Sequence, residues 1–534
     1  MMILSFLVHI YQLHSTPPLD IDEFSISFNA LSIATNGHDE WGKFMPLFFR
    51  SFGDYKLPLD IYLSAIFFKL FSPSVFWLRL PSVLFAILYI PLVYHLIKSL
   101  IENKKYALLG AGLISFLPYN LFYSHLISAS ISASFLIFAS LTSFIQVLKN
   151  NNVTRNIILS IIFLSLSLYA YPLSWIISPL LIISYSIALF FSKKLTLSKY
   201  FIIFFACCIP ILSQFFIGGS AQRLSNTSAF SFNRGEFMEI MEFRETGKND
   251  FVSRIFHNKA TTAAYVFSTN YLKHFNISYL AFDKTEPAIQ IAPYPPLFII
   301  LLPFYILGLF FVAKKFRNPI YFVLLSLVLI APLPSAITEG AVHPKRYLAF
   351  MGTETVLIVL AINQLKLSKH RLLLLLFSGL LLLEIGFSFR YFFSTYRQKS
   401  NDLLFWKGHM IAGVAQKYWP NRKLIYTSEH IGEPQIYPLV GASYSPSKYI
   451  QKRSFEYKDN WYYIKPFDGL YYAKSMEDIV NHISQDSAFS SIGIFSAEEI
   501  TILPPTICYA ILNNIYSPLS TFHYFIIDIK PCSS

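Results

Sequence analysis

The chain has 534 residues, 54% hydrophobic and 17% aromatic against 14% charged, and its apolar residues fall in long runs rather than in the short amphipathic periods of a soluble core. This composition excludes a soluble globular enzyme and implies a polytopic membrane protein. The formal charge of +13 does not point to nucleic acid, because the basic residues form short clusters between apolar runs instead of one basic face.

Met1 to Leu13 is apolar but shorter than the ~20 residues of a span, and no small-residue cleavage site follows, so it reads as an anchor rather than a signal peptide. A start further upstream stays open. Residues 15–78 then hold seven acidic side chains (Asp20, Asp22, Glu23, Asp39, Glu40, Asp54, Asp60) against four basic ones. Within them, 22–36 predicts a short helix. Asp22 and Glu23 suit the positive end of its dipole, Phe24, Phe28 and Leu31 repeat at helical spacing, and Asn36-Gly37 supplies a stop. Ser25, Asn29 and Ser32 make its other face polar. The stretch "LPLDIYLSAIFFKLF", 57–71, predicts an interfacial helix, its apolar surface interrupted by Asp60, Ser64 and Lys69.

Further apolar runs fall at 79–99, 105–121, 126–147, 156–171, 173–192, 199–217, 294–313, 319–335, 346–365 and 371–390, which with the first make about eleven spans. The connectors 98–105, 149–155, 193–199, 314–317 and 366–371 are rich in Lys and Arg and carry one acidic residue, Glu102. That bias assigns them to the cytoplasm. The register then places 15–78 and 218–293 in outer loops of a protein integral to the plasma membrane.

Acidic pairs in outer loops are usually solvated, and an Asp at a helix start is more often a cap than a catalyst. Here, however, the same side carries Lys56 in "RSFGDYKLPL" and His343, Lys345 and Arg346 in "APLPSAITEGAVHPKRYLAF". Tyr169 and Tyr171 in "SLYAYPLSW" stand at an outer boundary, where tyrosines anchor or line a pocket. Glu354 and Glu384 lie inside apolar runs, either as functional groups or paired between helices. Cys207 and Cys208 lie in an apolar run, and Cys508 and Cys532 are the pair able to meet outside the membrane. No His/Cys/Asp cluster has metal-ligand spacing, although an outer carboxylate pair can hold a hydrated divalent ion together with phosphate. From about 392 onward, short β-like runs ("KLIYTSEHIGEPQIYPL", "NWYYIKPF", "SSIGIFS") alternate with helical ones ("LLFWKGHMIAGVAQKYW", "AKSMEDIVNHISQ"), which predicts a soluble α/β domain over 392–534 on the outer side, after a membrane domain over 1–391.

The "DE" heading a first outer loop, "NALSIATNGHDEWG", "SFGDYKLPL", "FSPSVFWLRLPSVLFAILYIPLVYHL" and "APLPSAITEGAVHPKR", in that order, resemble the bacterial branch of the GT-C glycosyltransferases related to protein O-mannosyltransferases and lipid A aminoarabinose transferases. The resemblance covers roughly residues 1–390. It implies an all-α transmembrane domain with juxtamembrane helices in a long first outer loop, and transfer of a sugar from a polyprenyl-phosphate donor to a hydroxyl acceptor in protein, lipid or glycan. It also implies Asp22 as the catalytic base, Lys56 as a contact to the carrier phosphate and Arg346 as the arginine of a later outer loop. The chemistry of the transfer adds Arg346 as a second phosphate contact, Glu23 as a group that orients the acceptor or contributes to the helix cap, Asp39 and Glu40 in a supporting or acceptor-binding role, and His343 and Tyr171 in substrate binding. Relatives often carry an acidic or arginine residue after the third span, where "FYSHLISASISAS" offers Ser124, His125, Ser128 and Ser130 instead. A lipid-linked saccharide ligase or flippase is the competing class, but a flippase should line its central spans with charge, and here the polar residues sit in the outer loops.

Overall fold

A computed structural model describes residues 1–51, 54–127, 129–217, 242, 251–282, 294–338, 342–367, 371–403, 406–429, 431–458, 461–485, 490–516 and 523–530. The chain opens with α1 (Met2–Ile10) and α2 (Ile21–Asn36), and a short antiparallel hairpin, β1 (Phe49–Ser51) and β2 (Asp54–Lys56), leads into α3 (Pro58–Leu70). Then come α4 (Val75–Ile101), the bent pair α5 (Lys104–Phe116) and α6 (Pro118–Ser124), α7 (Ser130–Leu148), α8 (Val153–Ser167), α9 (Ser174–Phe191) and α10 (Ile202–Ile217).

Among the described residues six helices are long and apolar enough to cross a membrane, and eight if each of two bent pairs counts as one span. The long ones are α4, α7, α9, Leu195–Ser213, Pro319–Ala336 and Arg371–Ser400; the pairs are α5 with α6, bent by 50°, and Pro344–Phe350 with Thr353–Gln364, bent by 48°. Pro118, which has no amide hydrogen to continue a helix, starts the second half of the first pair. Gly352 turns the second pair at φ +89°, pressed against the Phe138 ring. Eleven spans are reached only by adding the shorter apolar helices α8 and Ile299–Lys314 and the nine residues of α1. Small residues let the spans approach closely: a methyl at Gly308 would meet the backbone oxygen of Leu357 at 2.1 Å.

With 13 residues, α3 is not among the spans. Asp60 and Ser64, which interrupt its apolar pattern, face inward and are buried. The Ser64 hydroxyl donates to the Leu78 carbonyl at 3.2 Å, fixing α3 to the start of α4.

Beyond the helix Trp406–Tyr418 lies a five-stranded sheet in the order β6-β3-β7-β9-β8, formed by β3 (Lys423–Thr427), β6 (Leu470–Ala473), β7 (Ser491–Ser496), β8 (Cys508–Tyr516) and β9 (His523–Lys530), with the hairpin β4 (Phe455–Lys458) and β5 (Trp461–Ile464) alongside. Strands β6, β3 and β7 run parallel, and β9 and β8 close the sheet antiparallel. This C-terminal part shares one core with α2 and α3: Phe24 meets Tyr437 and Phe28 meets Tyr449, both edge to face, and His409 Nε2 lies 2.8 Å from the Leu19 carbonyl. The sheet therefore packs at the same end of the helical part as α2. Cys508 is disulfide-bonded, whereas Cys207 and Cys208 are free.

Candidate active site

The site begins with how α2 is started. Asp20, not Asp22, is its N-cap: the Asp20 carboxylate accepts the Glu23 amide at 2.6 Å, and the Glu23 carboxylate accepts the Asp20 amide at 3.1 Å, a reciprocal capping box. Gly37, at φ +74°, closes the other end. Glu23 is 1% exposed and grips Arg79 of α4 with both oxygens, at 2.8 and 2.6 Å. Arg79, itself fully buried, also donates to the carbonyls of Leu13 and Pro17 at 2.9 Å each, and Glu23 accepts the Ile127 amide at 3.0 Å. The charges of this buried pair are thus matched to each other and to the surrounding backbone, as such a pair requires.

One residue along, Asp22 points elsewhere. It borders a cavity of about 220 Å³ whose polar lining also includes Tyr55, Lys56, Asp60, Tyr171, His343, Lys345 and Arg346. The Asp22 side chain is 40% exposed, and its Oδ1 lies 3.3 Å from Lys56 Nζ. Lys345 Nζ stands 5.5 Å from the centre of the Tyr171 ring. Burial, together with the positive charges of Arg346 and Lys345, pushes the His343 imidazole down to about 3, so it is neutral at physiological pH. Three cations and a solvent-reachable carboxylate thus meet at one mouth. Chemically, such an arrangement is able to hold an anion and to accept a proton from a neighbouring group.

Of the residues expected in the site, Asp22, Lys56, Tyr171, His343 and Arg346 line this cavity, and Glu23, Asp39 and Glu40 do not. Asp39 shapes its own turn, accepting the amides of Trp41 at 2.9 Å and Lys43 at 2.7 Å. Glu40 exchanges two hydrogen bonds with Asn29, at 2.8 and 3.1 Å, and its carbonyl accepts from Arg453 Nε at 3.0 Å. Burial pushes its carboxyl up to about 7 against the pull of Asn29 and Lys56. Ser25, Asn29 and Ser32, the polar face of α2, are all buried. Tyr169 donates to the Cys207 carbonyl at 2.7 Å, and His125 is buried between the carbonyls of Leu121 and Tyr11, at 3.0 and 3.1 Å. The two carboxylates inside apolar runs bind backbone: Glu354 takes the Gly352 amide at 3.0 Å, and Glu384 takes those of Ile299 and Ile300 at 3.0 and 3.2 Å. Among the described residues no three His, Cys, Asp or Glu side chains converge as a metal site.

Sequence reasoning did not assign Asp60 to the site. Its Oδ2 accepts from the Ser132 hydroxyl at 2.9 Å, and its buried Oδ1 has no hydrogen-bond partner among the described residues. Burial pushes the carboxyl up to about 7, against the pull of Ser132 and Lys345. The folded chain therefore keeps this proton to about pH 7, whereas an unfolded chain releases it near the ordinary 3.8. Stability from Asp60 accordingly declines as pH rises between those values, by an amount on the order of 4 kcal/mol. Asp60→Asn, which cannot titrate, should show a flatter fall in melting temperature from pH 4 to 8 than the unaltered protein; parallel curves would contradict the assignment.

No protein-family model and no curated protein matches the sequence. In structure, the chain is similar to ArnT from Cupriavidus metallidurans. The TM-score is 0.58 at 10% identity for the form bound to undecaprenyl phosphate and 0.57 at 8% for the apo form, each comparison covering 98% of this chain and 96% of the other. It is also similar to the oligosaccharyltransferase of Archaeoglobus fulgidus in its apo form, with a TM-score of 0.49 at 14% identity over 82% of this chain and 63% of that one, so this chain spans less than two thirds of that protein's length. The likeness to ArnT runs through both the helical part and the C-terminal sheet, and shows an ArnT-like fold.

Proposed function

We propose that the protein is a membrane glycosyltransferase that moves a sugar from a polyprenyl-phosphate donor to an acceptor hydroxyl at the outer face of the membrane. The observation that carries this reading is the gathering of Asp22 with Lys56, Lys345 and Arg346 around one cavity. A lipid phosphate leaves as a stable anion, so no general acid is needed of the kind a glycosidase uses. Asp22 accepts the acceptor's proton as the hydroxyl attacks and inverts the anomeric carbon. The three cations stabilise the charge that grows on the departing phosphate, with Tyr55 and Tyr171 offering faces to the sugar. The ArnT structure with undecaprenyl phosphate supports a carrier of this chemical class. Cations at the cavity supply the positive charge directly, and no step is assigned to a metal.

Purified protein incubated with labelled polyprenyl-phosphate sugars should release the polyprenyl phosphate and label an acceptor. Failure with every donor would sink the reading and favour a flippase.

The outer-face placement rests on the Lys/Arg-rich connectors and on the Cys508 disulfide, a bond that persists in oxidising compartments and that stands in the sheet packed on α2. A topology reporter fused after Ser72 should therefore read as extracytoplasmic. A cytoplasmic signal there would turn α3 into a span and invert every later loop.

A further inference from the structure

A second cavity, of about 630 Å³, lies at the other ends of α4, α7 and α8. On α4, Arg79 marks the Asp22 end and Lys98 comes nineteen residues later, about 28 Å along a helix and close to the thickness of a bilayer's apolar core. The polar lining includes His95, Lys98 and Ser99 from α4, Gln146 from α7, and Arg155 and Asn156 from α8, and no carboxylate. Two nearby lysines are already engaged where α7 ends: Lys149 donates to the Ser99 carbonyl, and Lys194 to that of Val147 at 2.6 Å. Lys98 and Arg155 differ. Neither has an ion pair among the described residues, and Lys98 only overhangs the Tyr94 ring at 5.9 Å. Like charges brought into one cavity repel unless an anion joins them, and hydroxyl and amide groups beside them add donors for its oxygens. The apolar edge is Leu92, one turn and a half towards the membrane interior from Lys98.

We infer that this cavity holds the phosphodiester headgroup of an anionic phospholipid, opposite the Asp22 cavity across the membrane, with Lys98 and Arg155 on the phosphate and the acyl chains running past Leu92. Paired cations between spans at a basic membrane face suit a lipid phosphate better than a zwitterion, whose own ammonium they would repel.

The test uses the full-length protein in detergent, examined by native mass spectrometry with phosphatidylglycerol or with phosphatidylcholine of the same acyl chains. Phosphatidylglycerol should bind preferentially, and Lys98→Gln with Arg155→Gln should weaken it about 30-fold, the loss expected for two basic residues at an anionic headgroup. The charge-keeping pair Lys98→Arg and Arg155→Lys should retain most binding, which keeps the test informative even if the neutral double variant folds poorly. Neutralising the exposed Lys104 and Lys105 instead should leave binding within about twofold, as these residues lie outside the cavity. Equal loss from that control pair, no preference between the lipids, or displacement by inorganic phosphate at matched ionic strength would overturn the proposal, the last by making this a site for free phosphate.

Discussion

Asp22→Asn should leave the protein folded and able to bind its donor while lowering turnover by about 10²- to 10⁴-fold, the range over which a positioned general base contributes. The substitution is clean because Asp22 takes no part in the capping of its helix. Asp20 and Glu23 share the capping box, and Glu23 pairs with Arg79. What the substitution forfeits structurally is the favourable charge at the helix start, about 0.3–1 kcal/mol, together with the 3.3 Å ion pair to Lys56. Release of Lys56 from that carboxylate leaves the cavity more positive, so the donor's KM should hold steady or fall. A fall in kcat without a rise in KM is the mark of an interaction made in the transition state. Initial rates over a range of donor concentration check it, and a variant with unaltered kcat would remove Asp22 from the chemistry.

Arg79→Met is the most damaging change expected for folding, at about 3–5 kcal/mol, since it strands the Glu23 carboxylate in a site that is 1% exposed. It also frees the Leu13 and Pro17 carbonyls, which tether the chain entering α2. Thermal unfolding in detergent, followed by size exclusion, should show a much lower midpoint. Combining it with Glu23→Gln, which removes the stranded charge, should recover part of the loss. A single variant that melts with the unaltered protein would refute the role of the pair. The cavity residues are untouched in this variant, so any activity loss should track the folded fraction.

Much of the architecture was legible in the sequence because the membrane simplifies the code: long apolar runs must be helices, and charge must sit at their ends. Five of the expected site residues share a cavity, since acidic and basic residues confined to one face of the bilayer have few places to meet. Of the two roles open to Glu23, orienting the acceptor or contributing to the helix cap, it takes the second. Adjacent carboxylates on a helix point about 100° apart, so Asp22 and Glu23 face different surroundings. The separating signal was present as Asp20-x-x-Glu23, a capping-box spacing, and as the lone Arg79 in "FWLRLP", an uncompensated charge at the head of a span that demands a buried carboxylate. Asp60 was harder to find: the groups that act on its carboxyl, Ser132 and Lys345, come from segments far along the chain, and no local pattern encodes that meeting. In the C-terminal part, β3, β5 and β7 fall within the expected runs, although the end of the first, from Ile436, is helical; β8 and β9 passed unnoticed because "CYAILNNIY" and "HYFIIDIK" mix polar residues into their apolar pattern.

The shared core between α2 and the C-terminal sheet sets an order of events during synthesis. The carbonyl of Glu40 accepts its hydrogen bond from Arg453, 413 residues later. At about 5–20 residues per second, the segment carrying Asp22 emerges some 20–80 s before the surface that completes its packing. Through that interval Phe24 and Phe28 lack the Tyr437 and Tyr449 rings that pack against them, and a chain released early would carry Asp22 on an unsupported helix. The segment from Tyr437 to Arg453 thus acts as a quality seal: the helix that carries Asp22 is fully covered only once this late part of the chain has docked against it.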